Sequence, residues 1–320
     1  MNNNNLKIKE IFDSASQNHK KNNFEVAENL YKKVLKINPE HFGSIFCLGS
    51  LSLQTKRFDS AKSLLQKAIK IRPDFIDAHN NLGIVFEELG HPQQAMSCFQ
   101  KAIEMQPNFA NAHFNLGNAF NKLNEFQKAI DYYEKAIKIN PSYVAAHNNL
   151  GNVFKELGEY KKAVSCYEKA TKINPSYVAA RNNLGNVFKE FGEYKKAIGC
   201  YEKVIEIDPN YAKAYHNLGV VFKELEETQK AIDYYEKAIE IDPKFVDAYN
   251  NLGIILGELG YVNEAEKKLK KLLNLKPVTK KTYEGYGNIL LKLNQHNKAL
   301  AYIRKGTGFI EFTQKSFEII

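Results

Sequence analysis

Residues 144–177 read VAAHNNLGNVFKELGEYKKAVSCYEKATKINPSY, and this stretch carries the pattern that decides the fold. Its proline belongs to a series in which eight of the chain's nine prolines are spaced 34 residues apart. A strict period of this length predicts an array of repeats rather than one globular domain. Because proline lacks an N–H and disfavours helix in the residue before it, each of these prolines is expected to end a helix. The series is Pro39, Pro73, Pro107, Pro141, Pro175, Pro209, Pro243 and Pro277.

Other residue types recur at the same period. When each repeat is numbered so that its proline is at position 32, position 20 is alanine in all nine repeats and position 8 is glycine in the last eight. Two small residues at fixed offsets let two helices come close, and a larger side chain there should cost roughly 1–3 kcal/mol through overpacking. The array is predicted over residues 8–306, with repeats that start at residues 8, 42, 76, 110, 144, 178, 212, 246 and 280.

Each repeat contains two apolar patterns with helical spacing. In repeat 3 the first pattern runs from Ala78 to Leu89, and the second runs from Ala95 to Ile103 after a break at Gly90. Each repeat is therefore predicted to be a helical hairpin. The predicted fold class is all-α, an α-α superhelix (solenoid) of about nine 34-residue helical hairpins. Residues 1–7 are predicted to be a disordered N-terminus, and residues 307–320 an apolar C-terminal tail.

These columns resemble the tetratricopeptide repeat (TPR), a helical hairpin of 34 residues. Residues 146–160, AHNNLGNVFKELGEY, are most similar to the repeats that precede the catalytic domain of O-linked N-acetylglucosamine transferases. The resemblance implies a protein-binding array whose first helices line a concave groove. Repeat 3 carries the matching residues at positions 4, 7, 8, 11, 20, 24, 27 and 32 as His79, Leu82, Gly83, Phe86, Ala95, Phe99, Ala102 and Pro107.

Asparagine recurs on the face of the first helix that the resemblance places in the groove. Position 6 is asparagine in six successive repeats, and position 9 is asparagine in three of them. A primary amide both donates and accepts hydrogen bonds, so a ladder of amides can bond the backbone of an extended peptide whatever its side chains. The resemblance implies the role that the asparagine ladder has in the transferase repeats. The predicted peptide-binding residues are Asn81, Asn115, Asn149, Asn183, Asn217, Asn251, Asn118, Asn152 and Asn186.

The charges beside this ladder predict the kind of ligand. Some relatives hold an acidic C-terminal peptide with lysines and an arginine on three repeats, but the matching positions here have Lys213 as their only cation. Position 13 is glutamate in five repeats. The expected ligand is therefore a neutral or basic extended protein segment. The glutamates are Glu88, Glu156, Glu190, Glu224 and Glu258.

The distribution of charge argues against nucleic acid as a partner. The net charge of +9 comes from the two ends of the chain, because residues 1–75 carry 13 basic and 7 acidic side chains and residues 266–320 carry 12 and 4. Residues 76–265 carry 20 basic and 25 acidic side chains, which does not describe a continuous basic groove. No apolar run has the length of a membrane span, and the N-terminus lacks the pattern of a targeting segment, so no membrane partner and a cytoplasmic location are expected.

No catalytic motif is recognisable in the chain. It has no glycine-rich phosphate loop, no closely spaced cysteine pair and no serine elbow. His79, His113 and His147 share position 4, but imidazoles one repeat apart are too distant to share a zinc ion. Because this column continues as Arg181, Tyr215 and Tyr249, it is interpreted as a wedge between helices. No metal, no cofactor and no catalysis are predicted.

Two functions follow from these observations. The first is a non-catalytic protein–protein interaction scaffold that binds an extended segment through the asparagine ladder. The alternative is a substrate-recruiting component of a glycosyltransferase-like system whose catalytic domain is absent or on another chain. The tail could fold back over the last hairpin, dock a partner or be the remnant of a linker, and its apolar end also favours self-association. Its apolar residues are Phe309, Ile310, Phe312, Phe317, Ile319 and Ile320.

Overall fold

The computed structural model describes residues 3–273, 280–307, 311–312 and 317–318. The chain divides into two compact units, an N-terminal unit, Met1–Ile173, and a C-terminal unit, Asn174–Ile320. Each unit is built from antiparallel helical hairpins in which a first helix packs on the second helix of the same repeat. The predicted all-α fold made of helical hairpins is confirmed in both units.

The described residues of the N-terminal unit form five hairpins. Their helices are α1 (Asn3–Lys20), α2 (Phe24–Ile37), α3 (Phe42–Gln54), α4 (Phe58–Ile71), α5 (Ile76–Glu88), α6 (Pro92–Met105), α7 (Ala110–Lys122), α8 (Phe126–Ile139), α9 (Val144–Glu156) and α10 (Tyr160–Ile173).

The described residues of the C-terminal unit form four hairpins and two short strands. The strands β1 (Glu311–Phe312) and β2 (Phe317–Glu318) pair antiparallel, with Glu311 opposite Glu318 and Phe312 opposite Phe317. The helices are α11 (Val178–Glu190), α12 (Tyr194–Ile207), α13 (Ala212–Glu224), α14 (Thr228–Ile241), α15 (Val246–Glu258), α16 (Val262–Leu273), α17 (Lys280–Lys292) and α18 (His296–Thr307).

The prolines at position 32 mark the ends of the second helices. In the seven repeats where the structure describes this proline, the second helix ends two residues before it. The residue between them is extended, as at Asn140 (φ −127°, ψ 91°) and Asp208 (φ −134°, ψ 92°). Proline imposes this conformation on the residue before it. Pro277 lies outside the described residues.

The start of the chain differs from the sequence prediction. Residues 1–7 are predicted to be disordered, but α1 begins at Asn3. The apolar residues Ile8, Ile11 and Phe12 keep helical spacing at this end, and no proline or glycine interrupts the helix before them. Each residue added to an existing helix contributes one backbone hydrogen bond without a new nucleation cost, so α1 extends toward the terminus.

The turn inside each hairpin requires a left-handed residue. Position 15 has positive φ in all nine repeats, and glycine occupies it in only four of them. Asparagine, which tolerates this conformation well, occupies three more, and the remaining two are Lys56 (φ 58°) and Glu226 (φ 59°). The turn is therefore imposed by the packing of the two helices and not by a glycine in each repeat.

Close contact between position 8 and position 24 forms the core of the hairpins. In the C-terminal unit, a Cβ added to Gly185 would lie 2.7 Å from Cε1 of Tyr201, and one added to Gly219 would lie 2.6 Å from Cε1 of Tyr235. Both tyrosine rings are fully buried. The glycine column is therefore a packing requirement, because the ring of the second helix occupies the space that a side chain at position 8 would need.

A pair of alanine substitutions on one hairpin tests this packing. Gly185→Ala should destabilise the chain by roughly 1–2 kcal/mol, because overpacking against Tyr201 outweighs the gain in helix propensity. Gly199→Ala, on the second helix of the same hairpin, should stabilise it by roughly 0.5–1 kcal/mol, because no described residue lies within 4 Å of its added Cβ. Urea unfolding measures both. Equal effects of the two substitutions would contradict the account.

Candidate functional site

The nine predicted peptide-binding asparagines lie on first helices of the repeats. The six residues at position 6 are on α5, α7, α9, α11, α13 and α15, and the three at position 9 are on α7, α9 and α11. All nine side chains are half-buried. We call the surface formed by positions 6 and 9 of the first helices the ladder face, and we describe it separately in each unit.

In the N-terminal unit, ladder amides are bonded between successive repeats. Asn149 donates from Nδ2 to Oδ1 of Asn118 over 2.9 Å, and the hydroxyl of Tyr133 donates to the same oxygen over 2.7 Å. Asn115 donates from Nδ2 to Oδ1 of Asn80, a position 5 residue, over 2.9 Å. Part of the hydrogen-bonding capacity of the ladder therefore joins the repeats to one another.

Two further ladder residues of this unit have partners of the same kinds. Asn81 donates from Nδ2 to Oγ of Ser50 over 3.1 Å, so its partner lies on the first helix of the preceding repeat. Asn152 accepts a hydrogen bond from the hydroxyl of Tyr167 over 2.8 Å. Tyr167, at position 24 of repeat 5, therefore bonds to position 9 of its own repeat, as Tyr133 does in repeat 4.

The C-terminal unit repeats the arrangement. Nδ2 of Asn217 lies 3.0 Å from Oδ1 of Asn182 and 3.1 Å from Oδ1 of Asn186. The hydroxyl of Tyr201 donates to Oδ1 of Asn186 over 2.8 Å. Burial raises the pKa of the Tyr201 hydroxyl. The hydroxyl therefore stays protonated at neutral pH and acts as the donor.

The last ladder residue has a different partner. Asn251 Nδ2 lies 3.0 Å from Nε2 of His216, a position 5 residue. Because an amide N–H2 group can only donate, this ring nitrogen is the acceptor and the imidazole carries its proton on Nδ1. Asn183 lies on α11 and is half-buried like the other eight.

These internal bonds orient the amides and determine which atoms remain available. Within the part of the chain that the structure describes, Nδ2 of Asn118 and Nδ2 of Asn186 make no hydrogen bond, and neither do Oδ1 of Asn115 and Oδ1 of Asn217. At these residues, position 6 therefore presents an acceptor and position 9 presents a donor. The sequence predicted the asparagines but not this division of roles, which depends on the tyrosine at position 24.

Charged residues of both signs flank the ladder face. The five glutamates predicted at position 13 are all exposed. Lysines accompany them, because Lys155 Nζ lies 3.6 Å from Oε1 of Glu156 and Lys223 Nζ lies 3.8 Å from Oε2 of Glu258. In the N-terminal unit, Lys122 pairs with Glu87 over 3.0 Å. These lysines partly balance the negative charge that the glutamate column alone predicts.

The histidines at position 4 serve the turns between repeats. Nε2 of His79, His113 and His147 lies 2.8–3.0 Å from the carbonyl oxygen of the proline six residues earlier. Arg181 continues the column with a hydrogen bond from Nη2 to the carbonyl oxygen of Pro175 over 3.2 Å. Because a carbonyl oxygen only accepts, each histidine donates from Nε2 to its proline turn.

The described residues contain neither a cluster of metal ligands nor a membrane-spanning helix. Among them, no three histidine, cysteine or acidic side chains are close enough to one another to hold a metal ion. None of the described helices has both the length and the apolar composition required for a membrane span. In the predicted C-terminal tail, Phe309, Ile310, Ile319 and Ile320 lie outside the described residues.

Family models match most of the array. Models described as "Tetratricopeptide repeat" match residues 76–143, 132–165, 179–244, 234–267 and 281–309. A model described as "TPR repeat" matches residues 49–90 and 151–192. Together these matches cover well over half of the chain, which therefore belongs to the tetratricopeptide repeat family. A comparison with the curated proteins found no match.

Solved structures agree with the fold. The chain is similar to one from the APC/C hetero-tetramer Cut9-Hcn1, with 16% identity and a TM-score of 0.62 over 83% of this chain and 52% of that chain. It is also similar to Pseudomonas aeruginosa pilF, with 21% identity and a TM-score of 0.58 over 68% of this chain and 97% of that chain. YrrB, titled a TPR protein with an unusual peptide-binding site, has 26% identity and a TM-score of 0.48 over 57% and 95% of the two chains.

A matched pair of tyrosine substitutions tests the bond between position 24 and position 9. Tyr201→Phe removes the donor to Asn186 and should cost roughly 1 kcal/mol of unfolding free energy. In repeat 7, position 9 is Val220, so the buried hydroxyl of Tyr235 has no oxygen at position 9 to which it could donate. Tyr235→Phe should therefore be neutral or stabilising. Denaturant unfolding measures the difference, and equal losses for both variants would contradict this assignment.

Proposed function

We propose that the chain is a non-catalytic protein-interaction scaffold that binds an extended peptide segment on the ladder face. The observation that carries the proposal is the orientation of the ladder amides. In the part of the chain that the structure describes, acceptors at Asn115 and Asn217 and donors at Asn118 and Asn186 have no hydrogen-bond partner, and neighbouring residues hold these side chains in place. An extended backbone offers the complementary groups, an N–H donor and a C=O acceptor on each residue.

Repeat spacing supports an extended ligand. First helices of adjacent repeats contact each other, as α5 does α7 and α7 does α9. Packed helices lie about 8–10 Å apart, and an extended chain advances about 3.3 Å per residue, so one repeat spans about three ligand residues. In repeats 4 and 5, where positions 6 and 9 are both asparagine, two ligand residues three apart could then meet equivalent pairs of amides. Recognition through backbone groups would tolerate many ligand sequences, and the flanking charges would select among them.

The flanking charges favour a neutral or basic ligand. Exposed glutamates line position 13, and the neighbouring lysines that pair with them balance only part of their charge. A ligand with several carboxylates would meet like charge without a concentrated cationic site to hold it. Adding acidic residues to the C-terminus of a bound peptide should therefore weaken binding or leave it unchanged.

Aspartate substitutions test the free donors without removing the internal network. Asn118→Asp combined with Asn186→Asp keeps Oδ1 as the acceptor for the tyrosine and for the next asparagine, but replaces each free Nδ2 donor with an oxygen. Peptides selected by the wild-type chain from a displayed library of random linear dodecapeptides should bind this variant at least tenfold more weakly, because in each unit the free donor becomes a repulsive acceptor. Fluorescence anisotropy measures the affinities.

The control carries the same change of charge away from the ladder face. Asn108→Asp and Asn210→Asp are exposed loop positions, one in each unit. This double variant should bind the selected peptides as the wild type does. Failure of the wild-type chain to select any peptide, or equal affinity of the ladder and control variants, would refute the proposal. Thermal unfolding of the ladder variant should remain close to wild type, because its internal acceptors are retained.

A second candidate rests on the similarity of residues 146–160 to the transferase repeats. In that case the same ladder face would recruit protein substrates for a glycosyltransferase-like catalytic domain on another chain or in a longer protein. A catalytic chain that copurifies with the scaffold would favour this candidate. The cytoplasmic location and self-association through residues 307–320 stay predictions.

A further inference from the structure

The ladder changes its chemistry in the last two repeats. Position 9 of repeat 8 is Ile254, and position 6 of repeat 9 is Gly285, where asparagine occupies these positions in repeats 4 to 6. A pocket opens here between α15 and α17, which contact each other. Ile254, Ile289 and Leu291 line it together with Gly285, and so does Asn288, the asparagine at position 9 of repeat 9.

Gly285 is not explained by backbone conformation or by packing. It lies inside α17 and does not have positive φ. Among the described residues, a Cβ added there would meet nothing closer than Cδ1 of Leu269 at 3.9 Å, whereas one added to Gly287 would lie 2.5 Å from Cγ1 of Ile303. Glycine inside a helix costs about 1 kcal/mol relative to alanine. Gly285 is itself buried, and among the described residues it leaves room for a side chain where the ladder would otherwise place an amide.

The rim of the pocket is acidic. Glu258, which is exposed, and Glu284, which is half-buried, both line it. Among the described residues that line it, the only lysine is Lys292, which donates from Nζ to the carbonyl oxygen of Gly257 over 2.6 Å, so its ammonium group lies against the backbone. Lys223 lies 3.8 Å from Glu258, a distance at which an exposed ion pair is weak. The rim therefore complements a positive charge.

We propose that this pocket binds one leucine- or methionine-sized side chain of an extended segment whose adjacent residue is lysine or arginine. The apolar side chain would occupy the space over Gly285, and the cation would face Glu258 and Glu284. The proposal builds on the function proposed above, since it assigns the pocket to the same ligand. The ladder would bind the backbone of the ligand and accept many sequences, whereas the pocket would select the side chain at one position of the ligand.

Small probes test the pocket independently of the ladder. The full chain, labelled at isoleucine δ1 methyl groups, is titrated with N-acetyl-leucinamide, N-acetyl-leucyl-lysinamide and N-acetyl-leucyl-glutamamide. The methyl signals of Ile254 and Ile289 should shift with saturation, while that of the core residue Ile232 should not. The lysine probe should bind roughly threefold more tightly than the glutamate probe at low salt, which is the scale of one exposed charge pair. N-acetyl-glycyl-lysinamide should cause no shift.

Gly285→Asn fills the pocket with the side chain that the ladder has elsewhere. This variant should lose the leucine-dependent shifts without a lower thermal stability, because the added Cβ meets no close neighbour and asparagine has the higher helix propensity. Ile254→Asn, which makes the wall polar, should weaken the same shifts. Absence of shifts in the wild-type chain, or unchanged shifts in Gly285→Asn, would overturn the proposal.

The two proposals fail in different ways. The Asn118→Asp, Asn186→Asp variant should bind the small probes as the wild type does, because neither substitution touches the pocket. Probe binding without any selected dodecapeptide would refute the ladder and leave the pocket. Dodecapeptides that depend on the ladder, but show no preference for an apolar residue beside a basic one and no sensitivity to Gly285→Asn, would refute the pocket and leave the ladder.

Discussion

The contact between the glycine at position 8 and the ring at position 24 is the constraint on which the other features of a repeat depend. Cβ positions at Gly117, Gly151, Gly185 and Gly219 would fall 2.6–2.8 Å from atoms of a buried tyrosine. This distance fixes how closely the two helices of a hairpin approach. The same ring then places its hydroxyl at the edge of the hairpin, where position 9 lies. Core packing and ladder geometry are therefore set by one side chain.

The hydrogen bonds of the tyrosine column make the ladder face a preorganised surface. Oδ1 of Asn118 and Oδ1 of Asn186 each accept from a tyrosine hydroxyl and from the asparagine of the next repeat. Rotation of such an amide would break two hydrogen bonds to its oxygen, so the orientation of the side chain is fixed. Under the proposed function, an N–H2 group already fixed in this way would reduce the entropy that binding a ligand would otherwise cost. Repeats 3, 7 and 8 carry Ile84, Val220 and Ile254 at position 9, so the surface there is more apolar.

Much of the fold could be predicted from the sequence, because a 34-residue period repeats each packing requirement many times. The prolines located the ends of the second helices, and the small residues at positions 8 and 20 located the hairpin core. The left-handed conformation at position 15 could be predicted only where the residue is glycine or asparagine. Lys56 and Glu226 have no preference for that conformation and are held in it by tertiary packing. The helix at residues 3–7 was missed because a run of asparagines has low helix propensity and does not indicate that the helix containing Ile8 begins several residues earlier.

At the site, the spacing of the sequence identified the asparagines. It did not identify the hydrogen bonds of these side chains, because those bonds join residues that are 15, 31 and 35 positions apart and lie on different helices.

The central claim is that internal bonds divide the ladder into engaged and available amide groups. Hydrogen exchange of asparagine side-chain amides, followed by NMR in the absence of any ligand, tests it most directly. One Nδ2 proton of Asn149 and one of Asn217 should exchange slowly, because each is donated to the preceding repeat. Both Nδ2 protons of Asn118 and Asn186 should exchange quickly. Fast exchange at Asn149 and Asn217, or equal protection of all four side chains, would contradict the account.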